Sequence, residues 1–274
     1  MSSIIEYGSE VWGYSRYDCC DKIQNRAIRF YLGLHKFTPI VTLNAEMGWD
    51  CTRNRRWINM LRYWNRLIKM NEDRLTKKLF LIDKQIAKNN WSEEVKCILV
   101  KAGKVDIFEN NTICDLNEIS QALRHLNEIE MQEIINTKPK LRTYKLLKDH
   151  FNVEKYIKMN LPKYQRCLLA QFRVGILPLM IETGRYQNIE LENRICSLCD
   201  LGEIENEIHF LCECPLYVTQ RQELYDLARN KIETFDTNLP SENIFILLMK
   251  HMQKGVSKFL KIAYHIRRNN IYNK

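Results

Sequence analysis

Glycine and proline are scarce in this chain, and their scarcity constrains the fold more than any other feature of the sequence. Only nine Gly and six Pro occur among 274 residues. Turn-rich β architectures need many such residues, so the composition favours long uninterrupted helices. Apolar residues also recur at helical spacing, most clearly at Trp57, Leu61, Trp64 and Ile68. We therefore expect a mostly α fold.

The stretch Lys138-Pro139-Lys140 is a plausible hinge between two helical halves. We expect residues 1–137 to form a helical, bundle-like N-terminal half. Residues 138–274 are expected to form a second helical half that contains a small zinc knuckle at 196–214. In that half, Gly184-Arg185-Tyr186 is typical of a turn. The apolar stripe from Ser241 to about Arg268 predicts one long final helix.

The charge balance points to a polyanionic partner. The net charge is +9 and the sequence pI is about 9.0, for which RNA or DNA is the first expectation. Residues 1–14 lack the pattern of a signal peptide, and the longest apolar stretch, Ile244 to Met249, is far shorter than the roughly 20 residues of a membrane span. We expect an intracellular protein of the nucleus or cytoplasm, with no membrane contact and no small-molecule substrate.

Four cysteines and one histidine lie within residues 196–214. The spacing is Cys-x2-Cys, nine residues, His, four residues, Cys. In a reducing compartment, clustered cysteines favour metal binding over disulfides. Three thiolates and one imidazole suit Zn²⁺, and a closed set of four protein ligands leaves no position for a reactive water. The pattern predicts one structural zinc, held by Cys196, Cys199, His209 and either Cys214 or Cys212. The alternative is a group of reduced, buried cysteines in a helical hairpin.

Arginines in two regions are candidates for nucleic-acid contact. The first group is interleaved with Trp57, Tyr63 and Trp64, a combination that suits phosphate contact and base stacking. The alternative is that the tryptophans pack in the core and the arginines form a solvated face. The second group flanks the knuckle and partly offsets its acidic residues, which would repel phosphate. The candidates are Arg53, Arg55, Arg56, Arg62 and Arg66 in the first group, and Arg185, Arg194 and Arg221 in the second.

The chain carries no convincing catalytic motif. It has no phosphate-binding Gly-x4-Gly-Lys-Ser/Thr loop, no Gly-x-Ser-x-Gly elbow and no His-Glu-x2-His pair. It also lacks the paired-aspartate Tyr-x-Asp-Asp motif that polymerases use to hold two metal ions. We expect that the chain is not an enzyme on its own.

The region around the cysteines resembles the C-terminal region of non-LTR (LINE-type) retrotransposon polyproteins. The resemblance rests on Glu182-Thr183-Gly184-Arg185-Tyr186, on Arg194-x-Cys196-x2-Cys199, and on Glu205-x-Glu207-x-His209-Phe210-Leu211-x2-Cys214-Pro215-x-Tyr217-x3-Arg221. It favours Cys214 over Cys212 as the fourth ligand. The segment from Tyr7 to Gly13 resembles the start of the reverse-transcriptase thumb. Later segments are similar to the rest of that region: Ile23-Gln24-Asn25-Arg26, Leu32-Gly33, Thr38-Pro39, Glu46-Met47-Gly48 and Arg62-Tyr63-Trp64.

The resemblance implies thumb-like and linker helices with a CCHC knuckle that helps to hold template RNA or target DNA. Other retroelement proteins are further implied partners. The endonuclease and the polymerase palm of that family have no counterpart in this sequence, so polymerase activity is not carried over. Two alternatives stay open: a helical protein–protein adaptor whose zinc is purely structural, and a relic of a mobile element without function.

Overall fold

The computed structural model describes residue 4 and residues 6–15, 17–86 and 88–272. The chain is 68% helical, and its described residues contain no strands, which confirms the prediction of a mostly α fold. The only pairing of the β type within those ranges is an isolated antiparallel bridge between Ile195 and Ile204. No helix in the described ranges is both long and apolar enough to cross a membrane.

The helices follow one another with short connections. In chain order the α-helices are α1 (Ser9–Trp12), α2 (Asp18–Leu32), α3 (Ile40–Met47), α4 (Thr52–Ile68), α5 (Leu75–Ile86), α6 (Trp91–Lys101), α7 (Val105–Glu109), α8 (Leu116–Thr137), α9 (Tyr144–Leu147), α10 (Lys155–Lys158), α11 (Lys163–Arg173), α12 (Met180–Tyr186), α13 (Val218–Arg229), α14 (Ser241–His251) and α15 (Gln253–Tyr272). Short 3₁₀ turns occupy Pro139–Leu141, Leu191–Asn193 and Pro215–Tyr217, and a π-helical turn occupies His209–Glu213.

The chain forms two compact units. The first comprises residues 1–26 and 50–132, and the second comprises residues 27–49 and 133–274. The cysteine–histidine group lies in the second unit, together with α3 from the N-terminal part of the sequence.

Helix α4 supplies the centre of the first unit. Its apolar face is buried, and Trp64 is fully enclosed. The Trp64 ring stacks on Phe108 with 5.4 Å between centroids and meets Phe80 edge-on at 5.3 Å. Its indole N–H donates to the Thr112 carbonyl at 3.0 Å, which satisfies its one polar group. The helical spacing that the sequence shows is therefore the spacing of a core face.

Aromatic rings form the centre of the second unit. Phe172 of α11 lies 6.0 Å from both Phe210 and Phe245, and Phe210 lies 6.0 Å from Phe259 of α15. All four side chains are buried. Phe210 belongs to the π-helical turn that carries His209, so the candidate metal ligands are fixed directly to this core.

A buried ion pair ties α3 to α11 in the second unit. The Arg173 guanidinium donates to both carboxylate oxygens of Glu46, at 3.0 and 3.1 Å, and the Tyr156 hydroxyl donates to the same carboxylate at 2.7 Å. Glu154 accepts a further contact from Arg173 at 2.9 Å. Since these charges have lost their water, their mutual hydrogen bonds keep them ionised in the core.

Two local expectations are wrong. Gly184 to Tyr186 are the last residues of helix α12 rather than a turn, and Gly184 packs so close to Arg194 that an added Cβ would lie 2.8 Å from its Cγ. The final apolar stripe does not form one helix either, because Met252 leaves the helical conformation (φ −116°, ψ 30°) between α14 and α15. The apolar spacing continues through Met252, so the periodicity does not reveal the break.

Candidate metal centre

The first two ligands lie on a short loop held by backbone pairing. The Cys196 N–H donates to the Glu203 carbonyl at 2.8 Å, and the Glu205 N–H donates to the Arg194 carbonyl at 3.0 Å. These bonds bring the two ends of the loop side by side, with Cys199 between them. Gly202 closes the loop with a φ of +70°, a left-handed conformation that glycine adopts without steric conflict.

The other two ligands lie at the two ends of the π-helical turn. The Asn206 side chain accepts from the His209 N–H at 2.9 Å and starts the turn. The Cys214 N–H donates to the His209 carbonyl at 2.8 Å and ends it. In an α-helix, side chains five residues apart point about 140° away from each other. The wider i→i+5 turn instead returns Cys214 to the side of His209.

These two elements bring four side chains together. The ligand atoms of Cys196, Cys199, His209 and Cys214 all lie within 4.8 Å of one another. Cys196, His209 and Cys214 are buried, and Cys199 is half-buried. The group can hold one metal ion. It consists of the three residues that the spacing predicts as ligands and of Cys214, which the resemblance favours over Cys212.

The imidazole of His209 is oriented by its two ring nitrogens. Nε2 faces the group and lies 3.5 Å from the Cys199 Sγ. Nδ1 is buried, makes no hydrogen bond to the described residues, and lies 3.4 Å from the Glu213 Oε2. A ligating histidine commonly gives its second N–H to a carboxylate, and Glu213 is in position to accept it.

A hydrogen bond joins two of the thiols, Cys196 and Cys214. A hydrogen bond between Cys196 and Cys214 lowers the pKa of the Cys214 thiol. The same hydrogen bond, together with burial, raises the pKa of Cys196 to about 12. Of these two thiols, Cys214 therefore loses its proton more readily, and the thiolate is the form that binds metal.

Cys212 lies outside this group. Its thiol hydrogen-bonds the Tyr225 hydroxyl, and burial raises the pKa of the Cys212 thiol to about 12. The π-helical turn directs residue 214 toward His209, and the structure thereby separates two cysteines that the sequence spacing treats alike.

Arg221 braces the ligand-bearing turn from inside the second unit. It is buried, its Nε donates to the Leu211 carbonyl at 2.9 Å, and its Nη2 donates to the Cys214 carbonyl at 2.6 Å. A guanidinium committed to two carbonyls holds the backbone of the turn in place. Arg221 thus has a structural part beside the metal group, which its position in the sequence does not indicate.

Two of the acidic residues near the knuckle are also internal. Glu205 is buried and accepts two hydrogen bonds from Arg267 of α15, both at 2.7 Å. Glu207 is fully buried and accepts two from Arg142, at 2.7 and 2.9 Å. Their charges are neutralised by these arginines, so they repel phosphate less than the sequence suggests. No local sequence signal identifies the partners, which lie more than 60 residues away.

The five arginines of α4 occupy different environments. Arg56 is buried and donates to Thr52 Oγ1 at 2.9 Å, whereas Arg55 is half-buried and pairs with Glu6 at 2.6 Å. Arg53 lies over the Trp57 ring at 4.7 Å. The remaining two, Arg62 and Arg66, are exposed. Both line an open groove of about 480 Å³ in the first unit, together with Tyr7 and Tyr63.

The remaining candidates lie in the second unit. Arg185 is exposed and pairs with Glu182 at 3.2 Å. Arg194 is half-buried and donates to the carbonyls of Ile189 and Ile181 at 2.9 and 3.2 Å. Arg185 therefore presents charge to solvent, whereas Arg194 is engaged with the backbone around the knuckle.

No protein-family model, curated protein or solved structure matches this chain.

Proposed function

We propose that this chain is a zinc-stabilised nucleic-acid-binding protein derived from the C-terminal region of a non-LTR retrotransposon reverse transcriptase. The observation that carries the proposal is the convergence of three thiols and one imidazole from a loop and a π-helical turn. The retroelement origin is supported by the order of sequence segments around these four residues.

Zinc is the metal that this donor set suits best. Soft thiolates with one imidazole select Zn²⁺ over harder cations, which prefer oxygen ligands. The four ligand atoms all lie within 4.8 Å of one another. Tetrahedral Zn–S and Zn–N bonds of about 2.3 and 2.0 Å would bring them to separations of roughly 3.5–3.8 Å. Zinc bound by Cys196, Cys199, His209 and Cys214 supplies a cross-link between loop and turn. It supplies no reactive water, because all four positions are filled by protein.

The groove on the first unit is the proposed contact for nucleic acid. The guanidinium groups of Arg62 and Arg66 are exposed along it, and the Tyr7 ring beside them is 86% exposed. Arginine suits phosphate, and an exposed tyrosine offers a face on which a base can stack. Two acidic residues, Glu6 and Glu10, also line the groove, and Arg55 neutralises Glu6. The net charge of +9 favours association with a polyanion in general.

The test combines metal analysis with binding at several salt concentrations. We expect one zinc per purified chain. Affinity for RNA or DNA should fall steeply with salt. For each phosphate contact, the logarithm of the binding constant should fall by about 0.9 per tenfold increase in salt on duplex DNA and by about 0.7 on single strands. Replacing Arg62 and Arg66 together by Gln should make the slope of log K against log salt shallower by the contribution of about two phosphate contacts.

The matched control is Arg74→Gln with Lys88→Gln, which removes the same charge from exposed positions of the first unit outside the groove. If the zinc-loaded protein does not bind RNA or DNA, or binds them with an affinity that does not depend on salt, the proposed nucleic-acid binding is contradicted. That result would support the alternative of a helical protein–protein adaptor. A chain that purifies without zinc and takes none up would contradict the metal centre.

A further inference from the structure

Helix α5 exposes a continuous apolar stripe. The exposed fractions of Leu75, Leu79, Ile82 and Ile86 are 71%, 57%, 53% and 64%. Successive members are four, three and four residues apart, so they form a single line along the helix. Single exposed apolar residues are ordinary on protein surfaces, whereas a contiguous line of four large ones marks a contact surface.

The opposite face of α5 is fixed to its own unit. Lys77 is buried, and its Nζ donates to the last carbonyls of α4 at 3.0 and 3.1 Å. Phe80 meets Trp64 edge-on at 5.3 Å, and the Lys84 Nζ lies 4.7 Å from the centre of the Phe108 ring. These contacts set the rotation of the helix, so the apolar stripe faces away from the core of the first unit.

The spacing of the stripe is that of a two-helix seam. In a heptad abcdefg, steps of four, three and four place Leu75 at d, Leu79 at a, Ile82 at d and Ile86 at a. The residues that hold α5 to its unit then fall at b and f, on the back of the helix. A narrow stripe confined to a and d matches another helix of the same pattern better than a broad apolar surface.

The charges beside the stripe select a parallel copy of the same helix. Lys78 is at g, and Asp83 is at the e position of the following heptad. In a parallel pair, g of one helix faces the next e of the other, so Lys78 meets Asp83 of the second copy twice by symmetry. In an antiparallel pair Lys78 meets Gln85 and Asp83 meets Thr76, and no ion pair forms. The Asp83 Oδ2 accepts from the Ser92 N–H at 3.0 Å, and its Oδ1 makes no hydrogen bond to the residues that the structure describes.

We propose that α5 is the surface on which two copies of this chain associate, through a parallel helix pair sealed by Leu75, Leu79, Ile82 and Ile86. The pairing does not depend on zinc or on nucleic acid. A seam of 12 residues is short, so the dimer is weak and reversible and falls below the size of a permanent interface.

Sedimentation equilibrium of the full chain, from about 10 μM to about 1 mM, tests the pairing in the range where weak complexes dissociate. The wild-type chain should shift from monomer to dimer. Leu79→Gln with Ile82→Gln should weaken association at least tenfold and keep the helical circular dichroism, because both side chains are already exposed. Val100→Gln is the matched control, since Val100 is 55% exposed on α6 of the same unit.

Lys78→Glu tests the parallel orientation, because it places like charges opposite each other at Asp83. We expect weaker association than in Lys22→Glu, which makes the same charge change at an exposed position of α2. If the chain stays monomeric throughout this concentration range, the proposed pairing is wrong, and the apolar stripe would instead be a contact surface for a different protein. A dimer that tolerates the double Gln variant overturns it as well. A dimer that responds equally to Lys78→Glu and Lys22→Glu overturns the parallel arrangement.

Discussion

The Cys214 N–H donates to the His209 carbonyl at 2.8 Å, and this bond ends a π-helical turn between two candidate metal ligands. The five-residue closure puts both side chains on one side of the turn, where they meet Cys196 and Cys199. An α-helix of the same sequence would direct the two side chains apart. The turn is therefore the local structure on which the candidate metal centre depends. π-helical turns are rare, and they frequently occur at functional sites.

Removing a ligand should release the metal and loosen the second unit. Cys199→Ser or His209→Ala is expected to bring zinc below one per chain and to lower the thermal unfolding temperature, because metal binding energy is folding energy in a closed site. Elemental analysis and unfolding with and without a chelator measure both effects. Cys212→Ser is the matched control: it should keep full zinc content, and loss of zinc in that variant would move the fourth ligand to Cys212.

Glu213 should strengthen zinc binding without touching the metal. Its carboxylate lies 3.4 Å from the Nδ1 of His209, so it can fix the tautomer that leaves Nε2 free to ligate. Glu213→Ala is expected to weaken zinc affinity by about 10- to 100-fold in competition with a chromophoric chelator. Asp200→Ala removes a charge next to Cys199 and should change affinity little. Equal losses in the two variants would show a general effect of charge rather than a hydrogen bond to His209.

The Glu46–Arg173 pair predicts a loss of stability in acid. Burial acts to raise the pKa of Glu46, but the charges of Arg173 and Lys148 and the hydrogen bonds from Arg173 and Tyr156 outweigh it, so the pKa lies below its ordinary value. A carboxyl with a depressed pKa in the folded state contributes stability above the pKa of the unfolded state. That contribution disappears as the pH falls through the folded pKa.

Glu46→Gln should therefore destabilise the second unit by about 3 kcal/mol at pH 7, because it leaves a buried guanidinium short of a counter-charge. The difference from wild type should begin to shrink below the ordinary glutamate pKa of about 4.3, where the carboxyl of the unfolded state takes up its proton. It should vanish only as the pH falls through the lower pKa of the folded state. Denaturant unfolding at several pH values measures the difference. Glu233→Gln, at an exposed position of the same unit, should match wild type throughout. A difference for Glu46→Gln that does not depend on pH would contradict an ionised Glu46.

Gly48 should be the least replaceable glycine of the second unit. Its φ is +60°, and an added Cβ would lie 2.3 Å from the Val153 nitrogen and 2.7 Å from the Asn152 carbonyl carbon. Gly48→Ala adds a backbone clash to the left-handed strain, so it should cost clearly more than the 1–2 kcal/mol or so of that strain alone. Gly202→Ala is the control, with φ +70° and no atom within 4 Å of the added Cβ. Denaturant unfolding of the two variants measures the difference. If Gly48→Ala and Gly202→Ala lose the same unfolding free energy, the close approach of the Gly48 backbone to Asn152 and Val153 is contradicted.

The sequence by itself determines the helical class and the metal group, because both depend on short-range spacing. Helical periodicity identifies the buried face of α4, including Trp57, Leu61 and Trp64. The four candidate ligands fall within 19 positions, so a loop and one turn are enough to bring them together. The choice between Cys212 and Cys214 depends on the kind of turn, and the spacing alone leaves that open.

Only the tertiary structure decides which charges are internal. Arg56 and Arg221 look like surface arginines in the sequence and are buried, whereas Arg62 on the same helix as Arg56 is exposed. Glu205 meets Arg267 across 62 positions of sequence. It also decides that residues 27–49 belong to the same unit as residues 133–274. The physical reason is that a charged side chain can be buried only where the packed chain supplies hydrogen-bond partners for it. Which residues become those partners depends on how the segments pack, and a local sequence pattern does not show this.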